Sequence, residues 1–178
     1  MIGNFPRALA FTLGQEGSWS DNPLDSGGPT MQGITLATYQ SWAFAQSYPP
    51  PSADDLHEID AATVAEIYHD LYWRQVSADS LPDGADLSVF DAAANTGCGT
   101  AVRQLQTVLR VTADGIVGPI TAAAAKRASV FVVIANLADA QEKYYRSLAD
   151  FPTFGAGWLA RVEARRRAAV ALASGRIA

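Results

Sequence analysis

The chain has 178 residues, 49% of them hydrophobic and 17% charged, enough to bury a full core of one domain without covalent staples. Its single cysteine, Cys98, excludes a disulfide framework and a cysteine-rich zinc site and fits a reducing compartment. The formal net charge is −5, and residues 1–100 set Arg7 and Arg74 against 13 acids while residues 101–178 set 11 bases against five acids. An acidic chain without a recognisable binding motif argues against nucleic acid as a partner. The late arginines, Arg161, Arg165, Arg166, Arg167 and Arg176, either steer an anionic polymer or surface or form a solvated helix face.

In chain order, Phe5, Ala8, Leu9 and Leu13 recur at helical spacing between Asn4 and about Gln15, with Pro6 in the first turn. The N-terminal apolar run is too short and too weakly basic for a signal peptide. Residues 17–35 lose the helical period, and Asp-Asn-Pro and Ser-Gly-Gly-Pro are turn chemistry. A small β or irregular lobe is expected there, with WSD and GIT as its extended pieces. Thr35 can cap a helix over LATYQSWAFAQ. The prolines at 49–51 then make a stiff break. Asp60 can cap AATVAEIYHDLYWRQ, with Val64, Ile67, Tyr68 and Leu71 inward.

LSVFDAAANTG reads as a small-residue helix ending at Gly97, followed by an amphipathic helix over GTAVRQLQTVLR. VTADGIVGPIT reads as a tight loop whose Pro119 opens the next helix. A long helix is expected from Val130 to about Asp150, a break at FPTFGAG, and a last helix over WLARVEARRRAAVALAS with Gly175 past its end. No apolar run reaches the length of a membrane span, so stable membrane insertion is not expected. No fixed-period repeat is present.

The stretch QEGSWSDNPLDSGGPTMQGIT concentrates the chemistry. Glu16 falls where the first helix should end, Asp25 lies nine residues on, and Thr30 five after that. Cleaving a sugar–sugar bond needs one carboxyl that keeps its proton for the leaving oxygen and another, ionised, that activates water or stabilises positive charge. Glu16, with the apolar Phe11, Leu13 and Trp19 nearby in sequence, suits the first role. Asp25 in a donor-rich turn suits the second, and Thr30 can hold the water. The same residues also suit plain turn capping. His57 and His69 are too isolated for a metal site, and the acids do not satisfy the calcium-loop pattern. No metal and no cofactor are expected.

EGSWSDNPLDSGGPTMQGIT resembles the catalytic signature of glycoside hydrolase family 108, the phage-type N-acetylmuramidases. Glu16-Gly17, Asp25-x-Gly27-Gly28-x-Thr30 and Gly33-Ile34-Thr35 match it; Ser18 and Trp19 depart from its second Gly and its Tyr. The related T4-type phage lysozymes share the Glu…Asp…Thr logic. YHDLYWRQV, FDAAANTGCGTAVRQLQ, TADGIVGPIT and FPTFGAGWLARV resemble later parts of the family in the same order.

The resemblance implies a mainly α, lysozyme-like single domain over residues 1–178. Residues 1–95 would form the catalytic part, and residues 96–178 a helical, peptidoglycan-binding-like part packed on it. It implies Glu16 as general acid, Asp25 as base or charge stabiliser and Thr30 as water-positioning partner. Trp19, Gln32, Asp91 and Asn95 would contact the substrate, although Asp91 and Asn95 also suit hydrogen bonding at their helix end. The activity implied is hydrolysis of the β-1,4 bond between N-acetylmuramic acid and N-acetylglucosamine in bacterial peptidoglycan, with inversion. The role implied is that of a monomeric endolysin, made in the host cytoplasm and reaching the wall after release by a holin. The alternatives are a lytic transglycosylase using Glu16 alone and a non-catalytic peptidoglycan-binding protein. The DGIVGP loop is expected to touch glycan or peptide stem.

Overall fold

One helix in the middle of the chain gathers four others around it. In the computed structural model, which describes residues 3–21 and 27–176, every residue from Ala85 to Ala93 is buried. These belong to helix α5 (Ala85–Thr96). Around it pack α1 (Phe5–Leu13), α6 (Cys98–Leu109), α8 (Val130–Arg146) and α9 (Phe151–Ala173). Small residues such as Ala85, Ala92 and Ala93 let neighbours approach α5 from all sides, while Leu87, Val89 and Phe90 fill the space between them. The remaining elements are α2 (Leu36–Ala45), the short α3 (Ala53–His57), α4 (Ala61–Tyr68) with a π-helical continuation over His69–Trp73, and α7 (Pro119–Arg127). A main core runs from Ala8 to Ala169, and a satellite core of Ala138, Tyr145 and Val162 joins α8 to α9. No single helix among the described residues is long and apolar enough to cross a membrane.

The mainly helical, lysozyme-like class expected from the sequence is the one observed, with a small sheet in the 17–35 lobe. Strands β1 (Thr30–Met31) and β2 (Ile34–Thr35) pair antiparallel, Thr30 opposite Thr35 and Met31 opposite Ile34. Ser20 and Thr30 exchange both backbone hydrogen bonds, at 2.9 and 2.8 Å, which ties the WSD segment to the sheet. The two-residue loop is Gln32-Gly33, both at positive φ (49° and 78°), as a tight primed hairpin turn requires. Thr35 and Asp60 cap α2 and α4 as anticipated, accepting from the Thr38 and Thr63 amides at 3.1 and 2.7 Å.

Two local readings change. The break between α8 and α9 falls at residues 147–150, and FPTFGAG is the first two turns of α9. Pro152 sits in the first turn, where its missing N–H has no helical partner to lose. Gly155 accommodates the Phe151 ring, because a Cβ there would lie 2.6 Å from Phe151 Cδ2. Helix α3, absent from the sequence reading, starts at a capping box. Ser52 accepts from the Asp55 amide at 3.2 Å, and the Asp55 carboxylate accepts from the Ser52 amide at 2.8 Å.

Buried acids fasten α1 to α5 at both ends. Asp86 accepts from Asn4 Nδ2 at 2.8 Å and from the Gly84 and Leu87 amides, each at 2.7 Å. Burial pushes its carboxyl up, against these donors. Asp91 accepts from Thr12 Oγ1 at 3.1 Å. Just before α5, Gly84 has φ of +86° and faces the Ala169 carbonyl of α9. Gly84→Ala would combine a disfavoured backbone conformation with a clash against main chain. We expect it to cost about 3 kcal/mol and to lower the melting temperature by roughly 10 °C in a calorimetric scan, whereas Gly175→Ala, where a Cβ meets nothing, should cost less.

Candidate active site

Glu16 stands beyond the end of α1, four residues after Thr12, and so at a position set by the Thr12–Asp91 anchor. Its neighbours come from distant sequence. Arg161 of α9 donates through Nη1 to Glu16 Oε1 at 2.7 Å and through Nη2 to Asp91 Oδ1 at 2.7 Å. Arg161 Nε lies 3.2 Å from the same Asp91 oxygen. One turn on, Arg165 Nη1 reaches Asp91 Oδ2 at 3.5 Å. Asp91 is fully buried, Arg165 is 2% exposed and the Arg161 side chain 13%.

Burial opposes the charge of Arg161, but the carboxylates of Asp91 and Glu16 outweigh it and hold the guanidinium above its ordinary value. Complete burial pulls Arg165 down, with Asp91 acting against that. A single buried carboxylate thus accepts from α1 and from two turns of α9, and one of its donors also holds Glu16.

The other carboxyl oxygen of Glu16 faces the hairpin. A Cβ on Gly33 would stand 3.0 Å from Glu16 Oε2 and 2.7 Å from Tyr68 Oη, so only glycine lets the turn close over the acid. Tyr68 Oη donates to the Gln32 carbonyl at 2.8 Å, pinning the hairpin tip to α4. The Tyr68 hydroxyl is held well above its ordinary range, by burial first and then by the negative charge of Glu16. Tyr72 is pushed the same way, by burial, Cys98 and Glu16. An ion pair and tyrosines, which the sequence reading did not place there, stand around Glu16.

Thr30 lies in β1 with Oγ1 donating to the Gly28 carbonyl at 3.0 Å. Trp19 is partly buried, edge-on to His57 at 4.7 Å. Gln32 forms the hairpin tip. Asp25 lies outside the described residues. Asn95 is exposed, and its Nδ2 donates to the Asp91 carbonyl at 2.8 Å within α5. Asp91 requires a correction. Its side chain is sealed from solvent and engaged by Thr12, Arg161 and Arg165, so it orders the site from beneath and touches no sugar.

Arg161, Arg165 and Thr12 escaped the sequence reading. The available signals were an acid inside the otherwise small and apolar DLSVFDAAA run, which must find a partner if buried, and two arginines four apart on one helix face. The DGIVGP loop is clipped from below by Gln106. Its Nε2 donates to Asp114 Oδ1 at 2.6 Å, and its Oε1 accepts from the Gly115 amide at 2.8 Å. Among the described residues no group of three or more His, Cys, Asp or Glu side chains is placed to hold a metal.

Comparison with known proteins gives this arrangement a context. Residues 9–97 match the family model for Glycosyl hydrolase 108, and residues 100–163 match that of the Predicted Peptidoglycan domain. A solved structure titled "Structure of Brucella abortus SagA" is 35% identical, with a TM-score of 0.85 over 97% of each chain. No curated protein matches at the same stringency.

The buried cluster makes its own prediction. Asp91→Ala leaves Arg165 without a counter-charge in the core, so we expect a loss of about 3–5 kcal/mol, read as a lower midpoint in urea unfolding. A midpoint equal to wild type would mean that the cluster does not hold α9 in place.

Proposed function

The chain belongs to the glycosyl hydrolase 108 family and is a glycoside hydrolase acting on peptidoglycan, and on that premise we propose that it cuts the β-1,4 bond between N-acetylmuramic acid and N-acetylglucosamine. The observation that carries the proposal is the seat of Glu16, with one carboxyl oxygen clamped by Arg161 and the other turned to the hairpin that bears Thr30. A guanidinium offers only donors, so the oxygen facing Arg161 accepts and the transferable proton belongs on Oε2. From there Glu16 acts as general acid, delivering its proton to the glycosidic oxygen of the leaving N-acetylglucosamine as the C1–O bond breaks.

By the family's motif, Asp25 is the base that takes a proton from water as water attacks C1 from the opposite face, and Thr30 positions that water. Inversion would follow, with the two carboxyls roughly 6.5–9.5 Å apart. Trp19 and Gln32 would line the sugar path. Asn95, whose side-chain oxygen makes no hydrogen bond among the described residues, would accept from a sugar amide. We assign the enzyme an endolysin's role in bacterial lysis. It would act as a monomer, made in the host cytoplasm and admitted to the wall by a holin-type pore.

Mass spectrometry of fragments released from purified Gram-negative sacculi tests the reading. Reducing N-acetylmuramic acid ends are the expected product. Anhydro-muramic ends would make the enzyme a lytic transglycosylase and leave Asp25 without a catalytic task. Glu16→Gln should lower release by about 10²–10⁴-fold while sacculus binding persists. Asp25→Asn at wild-type rate would remove Asp25 from the mechanism.

A further inference from the structure

Helix α9 carries more than the arginines that the site uses. Phe154, Trp158, Arg161 and Arg165 are spaced four, three and four residues apart, so they share one face of the helix. N-terminal to Arg161 that face turns aromatic. Trp158 stacks on Tyr145 of α8 with ring centres 5.1 Å apart and 28° between planes, and Phe154 lies 5.9 Å from Trp158 at 34°. Exposure rises outward along the stack. Tyr145 is 5% exposed, Trp158 is partly buried and Phe154 is 56% exposed. The indole N–H of Trp158 makes no hydrogen bond among the described residues. Those of Trp42 and Trp73 each donate to a carboxylate at 3.1 Å.

A lone exposed Phe is ordinary on any protein surface. A graded stack with a free N–H donor, continuous with the arginine that clamps the active-site acid, has the makeup of a binding wall. We infer that Phe154 and Trp158 form a platform for an N-acetylated amino sugar of the glycan strand, continuing the proposed sugar path beyond Glu16. The inference rests on the proposed glycan cleavage. A pyranose ring offers a C–H face that lies flat on an aromatic ring, and its N-acetyl carbonyl accepts from an indole N–H. Phe154 and Arg161 are seven residues apart, about 10 Å along the helix axis. The platform therefore holds sugar beyond the bond being cut, and its contribution is to strand binding more than to the chemical step. Trp158 also belongs to the satellite core with Tyr145 and Val162. Phe154 is more exposed, and its removal isolates the binding role.

The test compares Glu16→Gln with Glu16→Gln/Phe154→Ala by co-sedimentation with purified sacculi. The double variant should bind about 2- to 10-fold more weakly, with an unchanged melting temperature. In the active enzyme, Phe154→Ala should raise KM on sacculi by a similar factor and leave kcat and the product ends unchanged. Trp158→Phe, which keeps the stack and loses the N–H, should fall between. Equal sacculus binding and equal KM for Phe154→Ala, with muropeptides still released, would overturn the platform and leave the cleavage reading intact. Weaker binding by the double variant, with no muropeptides released by the wild type, would support the platform and overturn the cleavage reading.

Discussion

The Asp91 carboxylate, buried at the centre of the helical array, is the constraint on which the site depends. Taking this carboxylate and the Arg165 guanidinium out of water costs several kcal/mol each, and their attraction roughly repays that only when the geometry is satisfied. The cluster is therefore poorly described as a source of stability. What it supplies is register. Thr12 fixes the end of α1 on one Asp91 oxygen, Arg161 and Arg165 fix two turns of α9, and any slip of either helix would strand a buried charge. Glu16 is held by a residue 145 positions away in the chain, and that contact exists because both partners are first located against Asp91.

The two matched segments meet at this contact. The acid and the hairpin come from the segment matched as glycosyl hydrolase, while the arginine that seats the acid comes from the segment matched as peptidoglycan domain. The main core likewise draws on both, from Leu9 and Trp42 to Val133 and Leu137. The face of α9 that carries Arg161 is thereby part of the Glu16 site as well.

Local signals read well from the sequence because they are settled within a few residues. Thr35 and Asp60 needed only the amides three positions on, Pro119 needed only its first turn, and the turn chemistry of residues 17–35 marked the lobe that became the hairpin. The Glu16–Thr30 part of the signature was legible as a motif. The misreadings were of residues whose surroundings come from elsewhere. Gly155 and Gly157 looked like breakers because the Phe151 ring that occupies the space over Gly155 could not be foreseen. Asp91 lies on one helix face with Asn95, four residues on, but periodicity does not say that the Asp91 end of that face is covered by α9. Arg161 and Arg165 resembled the exposed Arg166 and Arg167 in composition. The difference is the helix phase, which places the first pair over Asp91 and leaves the second on Glu163 at the surface.

The two sides of the site differ in kind. The hairpin side rests on two-residue strands and a glycine at positive φ, pinned at its tip by Tyr68. The α9 side is one helix of 23 residues, and helices position groups more precisely than loops do. The clamp on Glu16 and the aromatic rings of Phe154 and Trp158 are fixed to that same rigid rod, so a strand resting on the rings is registered against the acid without further adjustment. For a polymer of alternating sugars this matters more than tight binding of any single ring, because on the proposed cleavage only one of the two alternating linkages presents its oxygen to Glu16. On the proposed cleavage, a rigid wall that reads the strand at a set distance from the acid is a physical means of choosing between them.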